Sequence, residues 1–569
     1  MPFRFQMELY QSLDTQKGYL MRMFETGRKH HRYVVIPPVM LNMVGGQHER
    51  GLSKHHLFLI DDCMNVDFDC LKRLLVTLLP ASMFLTMGTA SAAQPLTQPN
   101  PRSSVVAQAS AAGGLCPAQL GSAIDRITKR SSLAGVRWGI SLQSLGEPAR
   151  TLYASNATTL LIPASNNKLL TTAAALKALG AQYRFRTAVH GDSAQPTLAT
   201  LRLSGRGDPS LTTAQLTTLA QQLSQKGVQQ VEQLIGDDTY FRGAATNPYW
   251  DADDTLQGYG APVNSLMLNQ NGIGLTLVPQ RVGQPLRIQW DDPTDASSWR
   301  VSNQSVTVSA SGGEYVDAVR VLNQRLIRVS GQLRVGSAAE PIAVSIPNPG
   351  NYLIDKFRTA LVNANITIQR STVVKATPAP PGQVELAAIE SAPLAQLLVE
   401  TNRESNNTYA ETLLKTLGAL QSPASQDATA SGIAAVKATL TPLGVNPAGY
   451  SMVDGSGLAS RDRASATALV QTLQAMAQSP DSQVFRNSLA IAGVSGTLKN
   501  RFRNTAAQGK LQGKTGTIGG VVALSGYLTP SNHPDVVLSL LTNYSGASTN
   551  TVRGAVDEIV LVLTRLRSC

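Results

Sequence analysis

The period of apolar and polar positions changes several times along the chain. Residues 1–63 show no clear amphipathic period. Lys72 and Arg73 then precede a continuous apolar run from Leu74 to about Met87, which gives way to "TASAAQP". Cations, an apolar run and small residues in that order are the pattern of an export signal, with cleavage expected after Ala92. Pro80 within the run argues against an anchor helix. Beyond a polar leader at 93–114, a helix is predicted around 117–131. A period-two strand, "VRWGISLQSL", and a short one, "RTLYASN", come next. The stretch "LIPASNNKLLTTAAALKALG" (161–180) reads as a Leu/Ala-rich helix. From about 200 to 375 the texture is short alternating runs such as "TLRLSG", "IGLTLVP" and "RLIRVSGQLRVG", broken by Gly, Pro and Asn, which is β-rich. "KATPAPPGQ" (375–383) reads as a junction. Helical periods then return in "APLAQLLVETNRESNNTYAETLLKTLG", followed by three strand-like runs and a closing helix, "NTVRGAVDEIVLVLTRL".

This order predicts one α/β domain assembled from both ends of the chain and interrupted by a β-rich insert. The expected divisions are a signal peptide at 64–92, a peptidase-like domain at 115–190 and 384–569, an insert domain at 191–271 and 343–383, and a nested β-rich domain at 272–342. Because export signals begin a chain, translation is expected to start at or near Met64, with 1–63 outside the native protein.

Composition adds little to this. A hydrophobic fraction of 43 % with 46 Gly and 30 Pro describes a globular chain with many turns. The net charge of +12 is scattered and not gathered into runs, so it does not call for nucleic acid. It suits an anionic wall polymer equally well. Removing the leader takes Cys63 and Cys70 with it and leaves Cys116 and Cys569. In an oxidising compartment these either pair or remain two free thiols.

Chemistry enters with Ser165 and Lys168. Positions i and i+3 share a helix face, so the two side chains can touch. Only His190 and His533 lie beyond the leader, and neither sits in a recognisable catalytic setting. No H-E-x-x-H zinc pattern is present. If Ser165 is a nucleophile, its base is therefore a lysine whose pKa is lowered by burial and by a second cation. Lys514, in "GKLQGKTGT", is the candidate for that cation. It stands beside Thr515, whose hydroxyl can bind substrate, and Gly516, which would let a substrate backbone approach the strand edge. A third element is "RESNNTYAETLLK", where Ser405 and Asn407 sit at a helix start and could equally be caps.

S-x-x-K, S-x-N and K-T-G in this order in an exported chain resemble the penicillin-recognising serine enzymes. The interval of 240 residues between Ser165 and Ser405 is similar to that of the class C low-molecular-mass penicillin-binding proteins, the D-alanyl-D-alanine carboxypeptidase/endopeptidase family. "GDPSLT" (207–212), "VDGSGLASRD" (453–462) and "IAGVSGTLKNRF" (491–502) also resemble segments of that family.

The resemblance implies a transpeptidase-like fold, an antiparallel sheet with flanking helices and a helical lobe. It implies Ser165 as nucleophile, Lys168 as general base, Ser405 as proton relay with Lys514, and Asn407 holding the acyl-side amide. Lys514 and Thr515 would bind the substrate carboxylate, and the N–H groups of Ser165 and Thr517 would form the oxyanion hole. Asp208 would meet the free amino group of a stem peptide, unless it merely caps a helix whose first residue is Pro209. The implied location is periplasmic or otherwise extracytoplasmic, and any membrane association is peripheral. The implied partners are peptidoglycan stem peptides and, as covalent inhibitors, β-lactams, with no nucleic acid, metal or cofactor. A serine β-lactamase and a non-catalytic wall-binding scaffold stay open as alternatives. Against the first, the one glutamate between Asn407 and Lys514 is Glu411, misplaced for holding a deacylating water. Against the second, no motif residue is missing.

Overall fold

The computed structural model describes residues 113–569, apart from 147, 193–195, 323 and 377–382, together with the backbone of three strands near the start. The chain divides into two units, 1–102 and 103–569. In the first, Phe5–Tyr10, Tyr19–Glu25 and Arg32–Ile36 form an antiparallel meander in register Phe5↔Glu25 and Tyr19↔Ile36. Residues 1–63, which show no clear amphipathic period in sequence, thus include three strands. "FQMELY" alternates with period two over six residues, too short a run to stand out without its partners. The expected signal segment at 64–92 lies outside the described residues.

The second unit is centred on a six-stranded antiparallel sheet in the order Ala490–Ile491, Leu511–Ile518, Val521–Leu528, Val536–Tyr544, Val136–Ser144, Thr151–Ser155. Strands from the two ends of the chain meet at Val536–Tyr544 and Val136–Ser144. Every residue of Val521–Leu528 is buried, because the sheet is covered on both faces. Val522, Leu524 and Leu528 point to a layer made by the helices Pro117–Thr128 and Thr549–Leu563. Pro117–Thr128 turns Leu120, Ala123, Ile124 and Ile127 inward, the apolar stripe of an amphipathic helix. Cys116 and Cys569 cap this layer as a disulfide with Cα atoms 5.7 Å apart.

Ala523 and Tyr527 point to the opposite face, where a helical lobe packs. Its central helix, Asn167–Leu179, is buried continuously from Asn167 to Leu176, which accounts for its Leu/Ala composition on all sides. Leu394–Asn402, Asn407–Gln421, Ala428–Leu440 and Ala466–Ala477 surround it.

The insert holds a five-stranded mixed sheet, ordered Thr367–Val374, Gln230–Asp237, Thr197–Ser204, Arg186–Gly191, Val384–Glu390. Its first three strands are parallel, which requires crossovers, and the helix Thr213–Gln225 supplies one. That helix and Pro349–Asn363 pack on the sheet, so the insert carries helices as well as the expected β runs. The expected boundaries at 190 and 384 fall on the paired strands Arg186–Gly191 and Val384–Glu390. The nested part consists of two small sheets, one built on Gly272–Val278 and one on Leu326–Arg334, around a shared apolar cluster.

Candidate active site

Ser165 lies in a short turn, Ala164–Asn166, that leads directly into the buried helix Asn167–Leu179. Ala164 has φ 47°, a left-handed conformation that costs an alanine roughly 1–2 kcal/mol. The surroundings hold it there. Asn166 Nδ2 donates to Ser525 Oγ on the sheet (2.8 Å), and Asn167 Nδ2 donates to the carbonyl of Asp454 (2.9 Å). Ser525 is a small residue on the lobe face of its strand, so the turn can seat itself against the sheet.

Lys168 is wholly buried, and its Nζ donates to Ser165 Oγ (3.1 Å), Asn407 Oδ1 (2.6 Å) and the carbonyl of Ser456 (2.8 Å). Three acceptors around one amine suit an ammonium at rest. Burial pushes its pKa down to about 8, against the opposing pull of Asp454, Glu411 and Asp462. Losing one proton would leave a lone pair free to face Ser165 Oγ.

Lys514 is equally buried and donates to Ser405 Oγ at 2.7 Å. Burial, and then the charge of Lys168, hold it well below the usual lysine range. Burial is the chief cause for both lysines, as expected of Lys168, and the nearness of the two cations adds to it at Lys514.

Neither Ser405 nor Asn407 is a helix cap. Asn406 Oδ1 accepts from the Tyr409 N–H and caps Asn407–Gln421, leaving its two neighbours free. Ser405 takes φ 65°, a second left-handed non-glycine beside the chemistry. Asn407 Nδ2 donates to the carbonyl of Tyr259, so the insert reaches the second motif. A cleft of 830 Å³ opens there, lined by Ser405, Asn407, Tyr259, Gln270 and Asp292.

On the strand Leu511–Ile518, Thr515 Oγ1 lies 2.8 Å from Thr497 Oγ1, and Thr517 is exposed. A Cβ on Gly516 would come 2.7 Å from the carbonyl oxygen of Pro163 and 3.1 Å from the Ser165 nitrogen. The nucleophile's own turn thus requires the glycine.

Asp208 is 3 % exposed, and its Oδ1 accepts from the N–H and Oγ of Ser210 (2.8 and 2.6 Å). It does not cap the following helix, because Thr212 does so through Gln215. Burial raises its pKa. Its Oδ2 has no protein partner among the described residues. His190 lies in the insert sheet and His533 on an exposed loop, and neither bonds to Ser165.

With this geometry in view, the sequence profile of the D-Ala-D-Ala carboxypeptidase 3 (S13) family matches residues 120–564. The chain belongs to that family. It is a serine-type peptidase. A D-alanyl-D-alanine carboxypeptidase of Actinomadura sp. is 32 % identical over 451 residues, covering 76 % of this chain and 82 % of that protein. A penicillin-sensitive carboxypeptidase A of Dictyostelium discoideum is 25 % identical over 479 residues, covering 77 % and 89 %. The fold is similar to that of penicillin binding protein 4 from Haemophilus influenzae, with a TM-score of 0.65 at 24 % identity, covering 77 % of this chain and 98 % of that one.

Within this S13 peptidase a buried acidic group stands behind Lys168 that motif spacing did not reveal. Glu411 Oε1 accepts from the N–H groups of Gly455 and Ser456 (2.9 and 2.8 Å). Asp454 Oδ1 accepts from Gly457 (2.6 Å) and Ser456 (3.1 Å), while its Oδ2 takes Ala459 N–H (2.8 Å) and Trp250 Nε1 (2.9 Å). Asp462 Oδ1 accepts from Val453 N–H at 2.7 Å. Together they shape the loop whose Ser456 carbonyl faces Lys168. Burial and the charge of Asp454 push Glu411 up to about 8 and raise Asp462 well above its usual range. The signal for this lay in "DGSG", an aspartate-led turn sequence, but nothing in it indicates which side chain the loop serves.

Proposed function

We propose that the protein is an exported DD-peptidase that removes terminal D-alanine, or opens peptide cross-links, through an acyl-serine intermediate that β-lactams trap. Ser165 Oγ attacks the carbonyl between two D-alanines while Lys168, as the neutral amine, takes its proton. The backbone N–H groups of Ser165 and Thr517 receive the developing oxyanion. Ser405, bonded to Lys514, relays a proton to the leaving amine, and Asn407 holds the acyl-side amide. Lys514 and Thr515 bind the substrate carboxylate, whose arrival favours the charged form of Lys514. The carrying observation is the unbroken contact from Ser165 Oγ through Lys168 Nζ to Asn407 Oδ1, with Lys514 on Ser405 beside it. Glu411 is buried, with Oε1 bonded to the 455–456 backbone behind Lys168, which is the wrong place to hold a deacylating water. The acyl-enzyme is accordingly expected to persist.

The peptidase domain is read as 115–190 with 384–569, and Asp208 as the insert's contact for the amino group of the stem peptide, through its free Oδ2. The disulfide and the apolar run before "TASAA" favour a place outside the cytoplasm. Intact mass after brief exposure to benzylpenicillin tests the mechanism. Wild type should carry one lasting adduct and Ser165→Ala none. Hydrolysed drug without an adduct would overturn the peptidase reading in favour of a β-lactamase. Asp208→Ala should lose at least about tenfold in stem-peptide cleavage, as expected when a charged contact goes, and keep its adduct. Equal losses in both assays would remove Asp208 from peptide recognition.

A further inference from the structure

The strand Tyr315–Arg320 of the nested domain alternates between solvent and core, with Ala318 and Arg320 buried opposite Val329 and Ile327. An arginine therefore occupies a core-facing position and is only 8 % exposed. Among the described residues its guanidinium has neither an ion pair nor a hydrogen bond, and its Nε is buried without a partner. Burial disfavours its charge, and no carboxylate opposes that effect. The other buried cations among the described residues are all answered. Arg202 meets Asp237 at 2.9 Å, Lys415 donates to the carbonyls of Ala244 and Val263 at 2.8 Å, and Lys168 and Lys514 have the partners described above. A buried cation without an anion is costly, and such a group persists where a ligand completes it.

Arg320 lines a cleft of 510 Å³ between the nested domain and the start of Pro349–Asn363, together with Trp299, Arg325, Asn348 and Asn351. Two carboxylates share the lining. Asp295 is already held by Lys356 (2.7 Å) and by the Tyr352 hydroxyl (3.1 Å), and Asp355 is exposed. Lys356 is answered by Asp295 and, behind the lining, by Asp292 (3.2 Å), so among the lining residues Arg320 and Arg325 face only Asp355. None of its lining residues belongs to the three motifs.

We propose that this cleft binds an oxyanion, a phosphate or a carboxylate, with the planar guanidinium of Arg320 as its two-pronged partner. Arg325 adds a second charge at the rim, and the Asn348 and Asn351 amides supply neutral donors. Wall polymers offer both chemistries, as phosphodiesters and as stem-peptide carboxylates, so the protein would hold its polymer at a point outside the catalytic cleft.

Thermal unfolding of the whole protein at fixed ionic strength tests this, with inorganic phosphate and N-acetylmuramyl dipeptide as separate probes in a chloride buffer. Wild type should melt about 2 °C higher or more with at least one probe. A response to phosphate alone assigns the phosphodiester, and one to the dipeptide alone assigns the carboxylate. Arg320→Met should lose the response and melt higher than wild type in chloride alone, because it removes an unpaired buried charge. A merely structural arginine would do the opposite. Arg325→Ala, at an exposed position, should lose at least half of the shift while leaving the packing intact. The proposal is overturned if wild type ignores both probes, if Arg320→Met keeps the shift or melts below wild type, or if Arg325→Ala responds in full.

Discussion

At the scale of single residues, burial is what gives meaning to a lysine in a Leu/Ala helix. Ser165 and Lys168 were legible as a pair because a helix repeats on itself every three to four residues. That Lys168 is wholly enclosed, and that Asn407 and the Ser456 carbonyl complete its shell, came only from the folded chain. Its pKa of about 8 sets a pH dependence. The neutral amine is the base, so acylation by a β-lactam should fall about tenfold per pH unit below 8 and level off above it. Glu411 raises the Lys168 pKa, so Glu411→Gln, which keeps an oxygen for the two loop N–H groups, should move the plateau to lower pH. Stopped-flow acylation from pH 6 to 10 measures both effects. A flat profile would exclude Lys168 as the titrating base.

Elements were read well where one strong period extends over many residues and poorly where a single backbone choice decides. The terminal helices and the long strands follow from periodicity, and the helix at 167–179 from its Leu/Ala composition. The cap of Asn407–Gln421 does not. Three adjacent residues, Ser405, Asn406 and Asn407, can all cap a helix, and the left-handed φ of Ser405 selects the middle one. Gly516 shows the same limit. In sequence it is a strand glycine, but in the fold the carbonyl of Pro163 occupies the space of its missing side chain. Gly516→Ala should therefore push the nucleophile turn off the strand and slow acylation by about a hundredfold, while the sheet still forms. An acylation rate within threefold of wild type, with unchanged circular dichroism, would show that the turn yields at little cost.

At the scale of the whole molecule, two ends of the chain make one domain, and the disulfide records it. Cys116 and Cys569 are 453 residues apart and join the first and last helices of the sheet's outer layer. On the chain-entropy account, a loop beyond a hundred residues is worth about 5 kcal/mol. Cys569→Ala should thus lower the melting temperature by several degrees, whereas benzylpenicillin labelling at 25 °C should survive because the bond lies on the far face of the sheet. Loss of labelling at that temperature would mean that the bond shapes the site. The insert is tied to the second motif by Lys415 and by the Tyr259 carbonyl on Asn407, so its contribution to the cleft is a property of the assembled molecule.

The sequence alone determined the class of chemistry, the split domain and the three motifs, because spacing within a helix and alternation within a strand are local and repeat. Tertiary structure alone decided that both lysines are buried and lowered, which residue caps, what Gly516 accommodates, and that three buried acids stand behind Lys168. Each of these depends on groups far apart in the chain being brought within a few ångströms and stripped of water, and neither distance nor dielectric is written in residue order.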